Sequence, residues 1–216
     1  MSLPEIGKWE TVYIPKEYRR SIGIWPNHII ICPGPNKRGF EDSMRGFAEA
    51  MDAAVPIDKS DVVKGGCYAG RVADLGDGVG QKTWRRVVAT GYQGAGRWRL
   101  FCGDLGIWNG EPASFKDLRF LPERYRAMPF QAILAELPVE PIDEELKKYP
   151  NEAFKFLADE LNGATSLNIC IGAITERPDS WPRVKMTLSS MMKEEKPDCI
   201  VRAMIKKKLA KRKQAQ

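Results

Sequence analysis

The sequence predicts a mainly β protein with a few helices, of the α+β class, in which a small β-barrel is inserted into a second β-rich unit. Three observations lead to this prediction. Short apolar-alternating runs separated by glycine-rich turns fill residues 62–120, which is typical of a small barrel. Similar runs recur near both ends of the chain. Two segments between those ends have the spacing of amphipathic helices.

The first elements are two strands and a helix. Residues 9–14 and 22–32 are rich in β-branched and aromatic residues and are interrupted by prolines, which favours short strands. Residues 41–54 have helical spacing, and Pro56 is expected to end that helix. Its predicted apolar face is formed by Met44, Phe47 and Met51.

The central strands are expected at residues 62–73, 83–90, 97–102 and 113–115. The glycine-rich segment 74–82 ends in lysine, but a phosphate-binding loop would need G-x-x-x-x-G-K-[ST] leading into a helix. Because the residues after Lys82 continue as a strand pattern, we interpret the segment as a hairpin connection. A helical turn at 123–127 and a strand at 130–137 follow.

The last third is predicted to return to the second unit. Residues 151–161 have an apolar helical stripe, an Asn cap and an Asn-Gly stop. Residues 166–174 and 184–189 alternate as strands. The predicted divisions are 1–61 and 123–192 for the two parts of the surrounding unit, 62–122 for the barrel, and 193–216 for a basic tail, either helical or disordered.

The net charge of +6 lies in that tail. Residues 193–216 contain nine Lys or Arg and three Asp or Glu, whereas the remaining 25 basic and 25 acidic residues cancel. A neutral body argues against a phosphate-binding surface across the whole domain. The tail is compatible with contact to RNA, an acidic partner or a nuclear-import receptor, or with a solvated, frayed end. Its basic residues are Lys206, Lys207, Lys208, Lys211, Arg212 and Lys213.

The residues that usually perform chemistry do not cluster in the sequence. The five cysteines are widely spaced without a C-x-x-C pair, and His28 is the only histidine. Zinc ligation needs paired thiolates or imidazoles, and Ser-His or Cys-His catalysis would have one available base. We therefore expect no metal, no cofactor and no enzymatic activity, and reduced thiols in an intracellular protein. No apolar run approaches membrane-spanning length.

Five short segments carry motif residues: C-Y-A at 67–69, W-R-R-V at 84–87, F-C-G-D-L-G at 101–106, L-R-F-L at 118–121 and M-P-F-Q-A at 128–132. In this order they resemble the extended Tudor domain, a Tudor barrel within a staphylococcal-nuclease-like, OB-type unit. The framework residues Trp84, Phe101, Asp104 and Gly106 are kept. Gly106 suits a turn with positive φ, and Asp104 suits local capping of that turn.

The resemblance implies a methylarginine-binding aromatic cage, but the cage residues are absent here. Aromatic faces attract a dimethyl-guanidinium by cation–π interactions of about 0.5–2 kcal/mol each. The family's aromatic positions fall at Arg71 (or Val72 if the alignment slips by one), Arg85, Cys102 and Leu105, and its amide position falls at Ile107. We predict that this barrel does not bind methylarginine in the usual pocket. The candidate partner surface comprises Arg71, Arg85, Cys102, Leu105, Ile107 and Trp108.

The function that the resemblance implies is a non-enzymatic adaptor or scaffold in small-RNA silencing. Its partner would be an unmodified peptide or a subunit of an Argonaute-associated complex, in the cytoplasm or in perinuclear germ granules. The alternative is an RNA-binding module that uses the OB-like unit and the basic tail. A nuclease is a third hypothesis, for which the sequence supplies no set of acidic ligands with a base.

Overall fold

The computed structural model describes residues 5–13, 28–33, 37–73, 82–143, 145, 147–162, 164, 167–178, 181–193 and 196–213. Strands dominate over short helices, which confirms the predicted fold class. The chain forms two compact units. We call Asn36–Ala132 the inserted unit, and Met1–Pro35 with Ile133–Gln216 the discontinuous unit.

The inserted unit is built on an antiparallel sheet. Its strands are β3 (Cys67–Ala73), β4 (Lys82–Tyr92), β5 (Arg97–Cys102), β6 (Ile107–Trp108) and β8 (Leu118–Phe120). Their order across the sheet is β6-β5-β4-β3-β8, and a further strand, β7 (Ala113–Ser114), pairs with β5. The prediction for β5 has the observed bounds. Strand β6 was not predicted, because two residues are too few for an alternating pattern.

The junction of β3 and β4 excludes a phosphate-binding loop. Ala73 and Lys82 are antiparallel partners, so Lys82 begins a strand and not a helix. The glycine-rich residues 74–81 lie outside the described residues. The hairpin interpretation therefore rests on the pairing of the strands on either side.

One face of this sheet is the barrel interior. A Cβ atom added to Gly70 would lie 2.8 Å from a methyl group of Val87 and 3.2 Å from Leu100, so the backbone of β3 is approached closely from that side. Val87 and Leu100 are fully buried. Because side chains alternate along a strand, neighbouring residues point to opposite faces of the sheet, one to the interior and the other outward.

The helix predicted over residues 41–54 is two helices. Helix α1 spans Lys37–Ser43 and α2 spans Phe47–Asp52. Gly46 separates them because it adopts a left-handed conformation with φ of 72°, which a continuous helix does not allow. The predicted apolar face is correct: Phe47 and Met51 are buried against the outer face of the sheet, and Met44 packs on the same cluster.

The discontinuous unit is a closed five-stranded barrel. Its strands follow the order β11-β1-β2-β9-β12, and pairing of β11 with β12 closes the ring. Among the strand pairs of the described residues in this barrel, β9 and β12 are parallel and the others are antiparallel. Strand β13 (Lys196–Cys199) pairs antiparallel with β12. The barrel strands are β1 (Trp9–Tyr13), β2 (His28–Pro33), β9 (Ile133–Glu136), β11 (Leu167–Glu176) and β12 (Val184–Lys193).

Two predicted strands in this unit differ from the observed ones. The strand predicted at 22–32 is described only from His28, and residues 22–27 lie outside the described residues. The strand predicted at 130–137 is shorter, Ile133–Glu136. Phe130 and Gln131 precede β9 and belong to the inserted unit, where their contacts are described below.

The remaining elements complete the two units. Helix α3 (Glu123–Arg126) belongs to the inserted unit. In the discontinuous unit, α4 (Asn151–Asn162) buries an apolar stripe that includes Leu157 and Leu161, as predicted. Helix α5 (Ile200–Lys206) follows β13, and β14 (Lys211–Arg212) pairs with β10 (Val139–Glu140). Residues 196–213 of the predicted tail are thus part of the folded unit.

Candidate partner-binding surface of the inserted unit

The turn between β5 and β6 has the conformation that the sequence predicts. Gly106 has φ of 70°, in the left-handed region. The backbone N–H groups of Leu105 and Gly106 donate to the carbonyl of Cys102, at 3.2 and 2.8 Å. A side chain at position 106 would be strained in this conformation, so the backbone favours glycine there.

Asp104 in this turn holds a buried arginine. Nε of Arg86 donates to Oδ2 of Asp104 at 2.8 Å, and Nη2 donates to Oδ1. The Arg86 side chain is 1% exposed and the Asp104 side chain 13%. Such a two-point pair is stronger and more directional than a single hydrogen bond. The Asp104 carboxylate also accepts from the backbone N–H of Gln131, so it contacts two segments outside the turn that the sequence predicts it to cap.

The rest of the Arg86 guanidinium is also fully engaged. Three backbone carbonyls accept its other N–H groups at 2.6–3.0 Å, so all five donors have partners. The carbonyls belong to Tyr125, Met128 and Pro129. The guanidinium carbon lies 5.3 Å from the ring centroid of Phe40 and 5.1 Å from that of Phe130. Arg86 therefore joins α1, the turn after β5 and the segment that follows α3.

This role of Arg86 was missed in the sequence. The available signal was an arginine at an otherwise apolar stretch of β4, whose buried residues include Trp84, Val87 and Val88. A buried charge needs a counter-charge, and Asp104 stands in the neighbouring motif. Spacing alone does not show that three carbonyls from residues 125–129 converge on the same group.

The structure distributes the six predicted surface residues over two faces and a turn. Arg85 pairs with Gly70, Val87 pairs with Cys102, and Cys102 pairs with Ile107, so Arg85, Cys102 and Ile107 share the interior face. Cys102 is 2% and Ile107 8% exposed, and both are thus hidden from a partner. Arg85 is half-buried. Arg71 and Trp108 lie on the outer face, and Leu105 is half-buried in the turn.

Trp108 is the prominent feature of the outer face. It is 48% exposed, and its ring packs edge-on against the buried Phe101 at 5.3 Å between centroids. Leu105 lies three residues before Trp108, in the turn between β5 and β6. Trp98 is 8% exposed and packs on Tyr92. The accessible part of the predicted surface is therefore centred on Trp108 and Leu105.

Arg71 belongs to a different part of the outer face. Strands β3 and β6 are separated by β4 and β5, which places Arg71 about 14 Å from the strand of Trp108. Its guanidinium lies 6.0 Å from the ring centroid of Trp84, and Arg119 covers the same ring at 5.1 Å. The indole N–H of Trp84 donates to Asp52 at 2.7 Å. Arg71 thus covers a packed tryptophan.

The basic residues of the tail have two kinds of environment. Lys211 forms an ion pair with Glu140 at 3.6 Å, and Lys213 forms one with Glu136 at 3.1 Å. Lys207 lies 5.7 Å from the ring centroid of Phe156 on α4. The others, Lys206, Lys208 and Arg212, are exposed and have no carboxylate partner within the described residues.

Glu136 connects the end of the chain to the barrel of the discontinuous unit. It is 7% exposed and accepts from Lys185 at 2.7 Å as well as from Lys213. Burial raises the pKa of this carboxyl, but the two lysine hydrogen bonds outweigh burial and the net pKa is lowered. Opposite it in the sheet is His28, whose pKa burial lowers. His28 therefore lies in a packed strand of this barrel.

The described residues form no group of three or more His, Cys, Asp and Glu that could hold a metal ion. No disulfide joins any two of the five cysteines. Within the same residues, no helix has the length and apolar character that crossing a membrane requires.

Replacement of Gly103 by alanine tests the packing around Arg86. The new Cβ would overlap the ring of Phe130, so the ring that covers Arg86 would have to move. We expect a loss of about 1–3 kcal/mol in the free energy of unfolding, measured by urea denaturation. Gly110→Ala is the control, because nothing lies within 4 Å of its added Cβ. An equal cost of Gly103→Ala in a Phe130→Ala background would contradict the proposed clash.

No protein-family model and no curated protein matches the chain. Solved structures do match. The chain is similar to the human TDRD1 extended Tudor domain in complex with a symmetrically dimethylated peptide, with a TM-score of 0.77, 13% identity, and coverage of 99% of this chain and 94% of that chain.

Two Drosophila melanogaster structures are also similar. A point variant of the Papi extended Tudor domain, in complex with an unmethylated Piwi N-terminal peptide, has a TM-score of 0.73 at 14% identity, covering 95% of this chain and 99% of that chain. The extended Tudor domain of Tudor-SN has a TM-score of 0.69 at 17% identity, covering 97% and 86%. The chain therefore has the extended Tudor fold, as the motif resemblance implied.

Proposed function

We propose that this protein is a non-enzymatic adaptor that binds a peptide through the surface around Trp108 and Leu105. The fold supports a peptide-binding role, since similar domains have been solved with peptides from MILI and Piwi. Trp108 supplies the half-exposed aromatic anchor that protein interfaces often use. The partner would belong to a small-RNA silencing complex of the Argonaute class, in the cytoplasm or in germ granules.

We further propose that binding does not depend on arginine methylation. The single observation that carries this proposal is the identity of the five cage positions, none of which is aromatic and two of which, Arg71 and Arg85, are arginine. A methylarginine would find no aromatic face at these positions, and the guanidinium of Arg85, which shares the interior face with Cys102 and Ile107, would repel it. Cys102 and Ile107 are also buried, so they add no open pocket. The Papi domain was solved with an unmethylated and with a symmetrically dimethylated Piwi peptide, so a peptide without methylation can be bound by this fold.

The test is a titration with matched peptides. We expect unmodified and symmetrically dimethylated Piwi N-terminal peptides to bind with affinities that agree within about twofold, and Trp108→Ala to weaken both by about tenfold or more, as loss of an aromatic anchor does. Calorimetry or fluorescence anisotropy measures both quantities.

Tyr92→Ala is the matched control for Trp108→Ala. Tyr92 is 47% exposed, in the same unit, and packs on a buried aromatic ring at 5.4 Å, much as Trp108 does. Its removal should leave peptide affinity unchanged. A tenfold preference for the dimethylated peptide, abolished by changing Leu105, would overturn the methylation-independent mode. Equal losses from Trp108→Ala and Tyr92→Ala would overturn the proposed surface.

The charge distribution favours a second candidate function, RNA binding by the discontinuous unit and the basic tail. The observation behind it is that the whole net charge of +6 lies in residues 193–216. Electrostatic contact with a phosphate backbone needs such a concentration of positive charge and no particular sequence. This candidate uses a surface in a different unit from the one that carries Trp108.

A further inference from the structure

The tail residues that follow β13 fold with their apolar side inward. Ile200, Val201 and Met204 of α5 are 0–2% exposed, and so is Ala210 in the turn that leads to β14. Helix α5 contacts β14, and β14 pairs with β10. Because the apolar side of α5 and of the turn after it is packed inward, their basic side faces the solvent.

The basic residues divide into two sets by their contacts. Lys211 and Lys213 have carboxylate partners in Glu140 and Glu136, so their charges are neutralised locally. Lys207 is set aside because it lies 5.7 Å from the ring centroid of Phe156. The other exposed residues have no ion-pair partner among the described residues, and we call them the basic face. Its members are Arg202, Lys206, Lys208 and Arg212. Arg202 and Lys206 are four residues apart on α5 and therefore lie on one side of the helix.

We infer that the basic face binds the phosphate backbone of RNA without reading its sequence. This inference rests on the second candidate function above and names the residues that contact the ligand. The four cations are exposed, have no ion-pair partner among the described residues, and lie on α5, its C-terminal turn and β14. An RNA backbone offers a row of anionic groups to such a face, and each contact releases a counterion.

The same surface lacks what a protein partner would use. Interfaces with proteins are anchored by buried aromatic or aliphatic side chains. Between Cys199 and Lys213, a stretch that the structure describes throughout, no large apolar side chain is exposed. The exposed side chains of this stretch are polar or charged. Such a surface suits the phosphate backbone of RNA better than a peptide that binds through apolar anchors.

The experiment measures binding of a mixed-sequence single-stranded RNA to the full chain by fluorescence anisotropy at several salt concentrations. With four phosphate contacts, we expect the logarithm of the binding constant to change with the logarithm of the salt concentration with a slope of about −3. The quadruple variant R202Q/K206Q/K208Q/R212Q should bring the slope close to zero. The single variant R212Q should reduce its magnitude by about 0.7. A second RNA of different sequence should bind equally well.

A charge-matched variant separates the basic face from net charge. Lys64, Arg97, Arg99 and Lys116 are exposed residues of the inserted unit, and their replacement by glutamine removes the same four charges. This variant should keep the salt slope of the unmodified chain. An equal loss in both quadruple variants would overturn the site but keep RNA binding, whereas absence of salt-dependent binding by the unmodified chain would overturn both.

Two competitors decide the class of partner. Polyglutamate and vesicles of anionic lipid carry negative charge without an RNA backbone. Competition by either one as effective as unlabelled RNA, at equal charge concentration, would overturn the assignment to RNA. Weaker competition by both supports it. K211Q/K213Q serves as a further comparison, since it should lower the thermal midpoint by breaking the pairs with Glu140 and Glu136 and should leave RNA affinity nearly unchanged.

Discussion

Arg86→Met is expected to lower the free energy of unfolding by about 3–5 kcal/mol, because it breaks a buried ion pair from one side. The substitution leaves the Asp104 carboxylate without its two-point partner, and it leaves three backbone carbonyls near residues 125–129 without their donor. Buried acceptors that lose a partner carry the cost of their lost hydration. Urea denaturation followed by tryptophan fluorescence measures the change.

Arg86→Lys distinguishes charge from geometry. Lysine keeps the positive charge but has three donors on one atom, whereas the guanidinium satisfies five separate contacts and lies between the rings of Phe40 and Phe130. We therefore expect Arg86→Lys to recover less than half of the loss. The surface pair of Arg126 and Glu123, with side chains 63% and 71% exposed, is the control. Arg126→Ala should cost less than about 1 kcal/mol. A comparable loss of unfolding free energy in Arg86→Met and Arg126→Ala would contradict the importance of burial.

Met204→Ala is expected to cost about 2–5 kcal/mol, because it opens a cavity in the core of the discontinuous unit. Met204 is fully buried in α5, and its carbonyl accepts from the backbone N–H of Leu209. A frayed tail would tolerate the same change without loss. Thermal or urea denaturation of the full chain, followed by far-ultraviolet circular dichroism, measures it.

Lys206→Ala is the matched control in the same helix. Lys206 is exposed, and alanine is a good helix former, so the change should stay within about 0.5 kcal/mol. Equal behaviour of the Met204 and Lys206 variants would contradict the packing of α5. Together the two variants separate the structural side of this helix from the basic side proposed to bind RNA.

The contrast between Arg86 and Arg85 explains how the framework of this fold is held independently of the predicted cage positions. The contacts that hold the turn after β5 come from Arg86, Asp104 and Gly106, and none of them needs a bound peptide. Arg85 lies next to Arg86 in the chain but on the opposite face of the sheet. Because neighbouring residues on a strand face opposite sides, the residues of the cage position and those of the framework can change independently.

Much of the fold could be predicted because it depends on local patterns. Alternation over Arg97–Cys102 gave that strand its bounds, and the apolar stripe with an Asn-Gly stop identified the helix Asn151–Asn162. The prediction of one helix at 41–54 was wrong because helical spacing continues through Gly46, whereas its left-handed conformation depends on how α1 and α2 pack. The two-residue strands β6, β10 and β14 were not predicted, because their existence depends on pairing partners distant in the chain.

The sequence by itself determined the fold class, the order of the Tudor motifs, and the identity of the residues at the predicted cage positions, none of which is aromatic. These are properties of residue identity and short-range periodicity. Only the tertiary structure decided which positions are accessible: it buries Cys102 and Ile107, exposes Trp108, and pairs Lys213 with Glu136. The reason is physical, since burial and ion pairing depend on contacts between segments far apart in the chain, which no local pattern encodes.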